Sequence, residues 1–441
     1  MVGAFLAVLL LGSAPAASAS EPAQPVQPFQ LVRSLQRVQD RIASGDHAVL
    51  PMQRKALERA DRALREADDA ELAEPRNFRA VLIYAMSGGN PATVEILLPR
   101  LIGAARGRAK AEEDAKRAAA EESGEAPPEP EPAAEEAHGG GHAAKPGKKD
   151  SAAPPKPVRS ADERLALGVY NYLRGRPEDA REALSAIDPM AEEPELGAFL
   201  ALVRGQLEAS NTPQIAARLL DQARLLGTGT LVEEAATRRA VLLAVELGER
   251  PRFIALSESY ARRFVLSPYA AQWADGFVAG VMALREGLDF ADLDRVTENL
   301  DPERRRVLFL RIARAAGIEH ATALADFASA RAEAEPGRDD PRTVLYSALP
   351  KVATEGSDEV LRSLRTIDQT KLTTSDRALL QAAKAVAEGL KLPDTNPAAL
   401  PEPTAEPQTA DLDPAVTESE AKLTGARKAL GDIDALLGKS R

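Results

Sequence analysis

From Pro28 to Ala43 the apolar residues Leu31, Val32, Leu35, Val38 and Ile42 recur every three or four positions, which lines them up on one face of an amphipathic helix. Ser44-Gly45-Asp46 ends that stripe. A second helix carries Leu57, Ala60 and Leu64, and a third carries Phe78, Val81, Leu82 and Ala85. The third ends at Ser87-Gly88-Gly89-Asn90-Pro91, and a fourth follows with Val94, Leu97, Leu98 and Leu101. Glycine just past one helix and proline just inside the next is the punctuation of a helical hairpin. Residues 20–105 are therefore expected to form an N-terminal helical block.

Between residues 161 and 392 the pattern becomes regular. Helix-opening positions recur at Ala161, Leu196, Leu231, Ser267-Pro268, Asp301-Pro302, Asp340-Pro341 and Ser375. A spacing of about 35 residues belongs to tetratricopeptide-like arrays, so this body reads as a helical-hairpin solenoid. The Ser-Pro and Asp-Pro pairs, and Thr212-Pro213 inside one unit, place a capping side chain before a proline at the first helical position. In the first unit Leu167-Gly168, Gly175 and Ala180 fall where helices must approach closely, and Ala183, Leu184 and Ile187 continue the buried stripe. The run Tyr84 to Pro91 echoes Tyr172 to Pro177, so the N-terminal block is expected to hold a related unit, with the linker as an insertion.

Two segments break the periodicity. From 106 to 160 the chain turns Pro-rich, with Glu121 to Glu136 acidic and Lys145 to Arg159 largely basic. So few large apolar side chains predict a disordered linker, whose opening part to about Glu122 can continue as helix. A Pro-rich spacer follows at 393–414. Beyond it, in 415–441, Val416, Leu423, Leu430 and Leu437 recur every seven residues, with Ala426 and Ile433 between them, as in a short amphipathic helix that caps its own solenoid or meets a partner.

Composition favours the same class. Aromatics are 4% of 441 residues, with one Trp, and small and aliphatic side chains dominate; that suits close-packed helices and suits strands poorly. The fold class is all-α. The net charge of −11 argues against nucleic acid and against an anionic membrane surface. With 11 basic and 11 acidic residues up to Ala105, the excess negative charge lies farther along the chain. There is no Cys, so disulfides and Cys-bound metals are excluded.

The first nineteen residues read as a signal peptide. The apolar run from Val2 to Leu11 is followed by Ala17-Ser18-Ala19, an A-x-A cleavage site, although only the Met1 amine supplies positive charge ahead of the run. The expected location is periplasmic. No stretch has the roughly twenty apolar residues of a membrane span, so direct membrane insertion is not expected.

No catalytic constellation stands out, and no catalytic, cofactor-binding or metal-binding residue is assigned. His138 and His142 are spaced like a loose metal pair but lie in the linker without carboxylates, and His47 and His320 read as structural or solvated. Glu258-Ser259 resembles the acid that opens the lytic transglycosylase motif, yet the Gly-Leu-Met-Gln element is absent, so Glu258 reads as a helix-face residue. Arg238-Arg239 and Arg304-Arg305-Arg306 form exposed ladders that read as solvated helix faces, and no partner-binding residue is assigned.

The stretch from Phe29 to Lys55, densest over Gly45-Asp46-His47-Ala48-Val49-Leu50-Pro51-Met52-Gln53, resembles the mature N-terminus of the MotC family, periplasmic motility proteins of rhizobial alpha-proteobacteria. That resemblance implies a non-enzymatic, cofactor-free accessory of the flagellar motor that binds the periplasmic part of the stator protein MotB. A general periplasmic adaptor for cell-envelope assembly is the alternative with the same architecture.

Overall fold

The structure is a computed structural model, and it describes residues 26–123, 159–334, 340–352 and 357–389. The expected signal peptide, most of the linker, the spacer and the heptad segment lie outside these residues. The fold is all-α: eighteen α-helices, four short 3-10 turns and no strand among the described residues.

The N-terminal block comprises α1 (Pro28–Ala43), α2 (Leu50–Glu66), α3 (Asp69–Ala73), α4 (Pro75–Met86) and α5 (Pro91–Ser123). Helix α1 has the expected bounds, and Val32, Leu35 and Ile42 are buried along it. Helix α5 runs past residue 105 and takes in the opening of the expected linker. In α4 Phe78 and every residue from Ala80 to Ala85 are buried, the mark of a helix surrounded by protein.

The body then proceeds by pairs: α6 (Ala161–Leu173) with α7 (Pro177–Leu184), α8 (Pro194–Glu208) with α9 (Pro213–Leu226), and α10 (Leu231–Glu246) with α11 (Arg250–Phe264). After them come α12 (Ala270–Ala283) and α13 (Phe290–Thr297), α14 (Pro302–Ile318) with α15 (Thr322–Ala334), α16 (Pro341–Ala348) with α17 (Ser357–Arg365), and α18 (Thr374–Gly389). The first helices open within three residues of the positions read from periodicity. Successive first helices stack, α8 on α10, α10 on α12, α12 on α14 and α14 on α16, which makes a ladder. The fourth pair is irregular, because α13 packs mainly on α11.

Capping explains most of the punctuation. Asp301 and Asp340 accept from the Arg304 and Arg342 N–H groups at 3.1 and 3.0 Å. Two expected caps differ. Ser267 accepts from the Tyr269 N–H, but α12 starts only at Ala270. The Thr212 hydroxyl donates to Glu208 at 2.6 Å instead of capping α9, whose start depends on Pro213 alone.

Close approach holds neighbouring helices together, both inside a pair and from one pair to the next. A Cβ on Gly168 would lie 2.4 Å from Leu184, and one on Gly280 would lie 2.5 Å from the Phe253 ring. Ala180 and Leu184 are fully buried against α6. Gly175, expected at a close approach, instead has φ +69 with open space around it, so it serves the turn. Gly88, its counterpart in the echoed run, also has positive φ, and Pro91 and Pro177 both open the following helix.

Three buried carboxylates tie helices together by one pattern. Tyr84 donates to Asp61 at 2.9 Å, Tyr260 to Glu234 at 2.6 Å and Tyr346 to Asp376 at 2.7 Å, with Arg65, Arg238 and Arg314 respectively as charge partners. Burial above all raises the pKa of each of the three phenols, and the neighbouring carboxylate adds to the rise; at Tyr84 the bond from the Asn90 N–H offsets only part of it. All three tyrosines therefore act as neutral donors that satisfy a buried anion.

Candidate partner-binding surface

The N-terminal block joins the ladder by the packing of α4 and α5 on α6 and α8 and by a small set of polar contacts at the end of α1. Asp40 accepts from the Leu231 N–H at 2.8 Å, so a carboxylate of one helix caps α10 across 191 residues of sequence. Burial raises the Asp40 pKa, and the Leu231 bond only partly offsets that. One turn later Gly45 takes φ +96, and a Cβ there would lie 2.5 Å from the Leu266 Cβ. His47 Nε2 bonds the Leu266 carbonyl at 2.9 Å. With a side chain Gly45 would meet both backbone strain and a clash, which is why this position requires glycine.

Ion pairs add to this latch. Arg33 meets Glu195 at 2.5 Å, Arg79 meets Glu193 at 3.2 Å and Arg174 meets Glu95 at 3.5 Å. The Arg33–Glu195 pair borders a cleft of about 530 Å³ between α1, α8 and α10, lined also by Arg37, Asp40, Phe199 and Leu226. Helix α4 supplies the apolar part of the joint, packing on α6 and α8.

The run from Gly45 to Gln53 thus divides in two. Its first residues lock onto the loop before α12, with Val49 buried behind them. Its last residues open α2, where Leu50 is 45% and Met52 56% exposed.

Other residues singled out in the sequence have structural surroundings. Glu258 pairs with Arg262 and with Arg295, each at 3.5 Å, and so bridges α11 to α13. Arg304 pairs with its own cap Asp301, and Arg306 with Glu303 and Asp340. Arg238 serves Glu234 and stacks over Tyr269, while burial and the adjacent Arg238 lower the pKa of Arg239. His320, in the turn before α15, has φ +57, and its own N–H bonds the Gly317 carbonyl. His138 and His142 lie outside the described residues. Asp40, Glu195 and Leu266 had no sequence signal: each looks like an ordinary helix-face or loop residue until the chain folds back.

The fold and its latch define the class, an all-α helical-hairpin scaffold with its own N-terminal block fastened across the ladder. The chain belongs to the MotC family, described as Chemotaxis protein MotC, which matches residues 1–110 and 148–441. It is 32% identical over 409 residues to the Chemotaxis protein MotC of Rhizobium meliloti (strain 1021), over 91% of this chain and 81% of that protein. Residues 111–147, left outside the family match, fall within the expected linker. No solved structure matches the chain.

Proposed function

We propose that this chain is a periplasmic accessory of the flagellar motor that binds the periplasmic part of the stator protein MotB and supports motor rotation. The observation that carries this reading is family membership across nearly the whole chain, beside a relative named as a chemotaxis protein. The apolar leader ending Ala17-Ser18-Ala19 supports export. Among the described residues no helix is long and apolar enough to cross a membrane. A scaffold of this kind acts by binding: if its affinity differs between two states of the stator, it shifts their populations without any chemistry of its own.

The test is a titration of residues 20–441 against the isolated periplasmic part of MotB, with a deletion strain examined for swimming. Saturable binding and lost swimming are expected. No binding, with normal swimming but altered cell shape or detergent sensitivity, would replace the motor reading with the envelope adaptor.

A further inference from the structure

We propose that the outward face of α2 is the docking surface for an acidic helix of a protein partner; its equation with the stator rests on the function proposed above. Helix α2 buries Ala60, Asp61 and Leu64 on its inner side. On the opposite side Met52, Lys55, Arg59 and Arg62 follow each other at steps of three, four and three, one straight exposed stripe. It spans eleven residues, about 15 Å at the helical rise.

The charges on this stripe are unused. Elsewhere in the structure arginines are mostly engaged in ion pairs, Arg238, Arg304 and Arg306 of the two Arg ladders among them. Lys55, Arg59 and Arg62 have neither a hydrogen bond nor an ion pair. Acidic residues outnumber basic ones 67 to 56 in the chain, so three successive free cations on one face are not forced by composition. At the head of the stripe stands Met52, a large apolar side chain half out in solvent.

The occupant follows from complementarity. A helix with Asp or Glu at matching steps of three and four would pair with Lys55, Arg59 and Arg62, and one apolar residue would cover Met52. The latch at Gly45 and His47 holds the start of α2 in place, so little conformational freedom is lost on docking.

The experiment reverses the stripe in the mature chain (K55E, R59E and R62E together) and compares it with K110E, K116E and R117E on α5, an equal change of charge on an exposed helix. Both are titrated against the periplasmic part of MotB at two salt concentrations and tested for rescue of swimming. Reversal of the α2 stripe is expected to weaken binding about thirtyfold or more and flatten its salt dependence. The α5 variant should bind within about twofold of wild type, both melting as wild type does. Wild-type affinity with normal swimming in the α2 variant overturns the proposal, as does an equal loss in both variants. If the wild type itself does not bind MotB, the stator reading fails, and swimming still decides the surface: loss confined to the α2 variant keeps it, and rescue by both variants removes it. Binding of wild type to phosphatidylglycerol vesicles, lost in the α2 variant, with no binding to MotB, would make the occupant a membrane and overturn the protein partner. Should the glutamates lower the melting temperature, the Lys55→Gln, Arg59→Gln and Arg62→Gln combination repeats the test without charge reversal.

Discussion

The joints inside the ladder and the joint between the ladder and the N-terminal block are built differently. Within the ladder, small residues let helices touch: Gly168 against Leu184 inside a pair, Gly280 against Phe253 between one pair and the next, and Ala180 of α7 sealed against α6. At the latch, single polar contacts span long stretches of sequence, Asp40 to Leu231, His47 to Leu266 and Arg33 to Glu195. Dry close packing is all-or-none, since interiors tolerate neither voids nor added atoms. Hydrogen bonds and exposed ion pairs contribute roughly 1 kcal/mol or less each and weaken with salt. The lesson is that α1 and its loop can be loosened without melting the ladder, while α4 keeps the block anchored.

The sharpest way to break this comparison is Ala180→Asp. It buries an unpaired charge at a point of helix contact and should cost about 4 kcal/mol or more, read as a large drop in melting temperature. An unchanged transition would mean that α6 and α7 do not pack as described.

Next comes Asp340, a ladder carboxylate held by Arg306 and Arg342, each at 2.5 Å. Burial pushes its pKa up, but the bonds from Arg342 and then Arg306 more than reverse this, leaving it below the ordinary carboxylate value. Its contribution is therefore present above that ordinary value and lost as pH falls through the lowered one. Asp340→Asn should lose about 2 kcal/mol at neutral pH, and its deficit relative to wild type should close in acid. A deficit that stays constant with pH would contradict the ionic account.

Asp40 in the latch carries the opposite sign. Its raised pKa means that its contribution is full below the ordinary carboxylate value and lost as pH rises through the raised one. Asp40→Ala should cost about 1 kcal/mol by uncapping α10, whereas Asp40→Asn keeps an acceptor without the buried charge. The Asn variant should therefore match wild type at neutral pH and fall behind it in acid. Denaturant titrations across pH check both, and a neutral-pH loss for Asn equal to that for Ala would refute this account. The smallest effect is expected at Glu258, where Gln removes ion pairs at a part-exposed surface: within about 0.5 kcal/mol in stability and without change in swimming.

Much of the architecture was legible in the chain because helices announce themselves locally. Apolar spacing marked α1 to its ends, and Asp301-Pro302 and Asp340-Pro341 marked two helix starts that their side chains do cap. Where a local rule had a competitor it failed: Thr212 found Glu208, and Gly175 was spent on a turn. Residues Ala80, Ile83 and Tyr84 gave no stripe to read, because α4 is enclosed on several sides at once.

Periodicity, capping residues, composition and the run from Gly45 to Gln53 were thus enough to establish an all-α hairpin array and to point to its family, since each depends on residues close together in sequence. What they left open was the return of α1 across the ladder, the partner of Asp40 and the side of α2 left facing solvent. Those depend on contacts between residues about 200 positions apart, whose side chains give no local sign of a partner until packing brings them together.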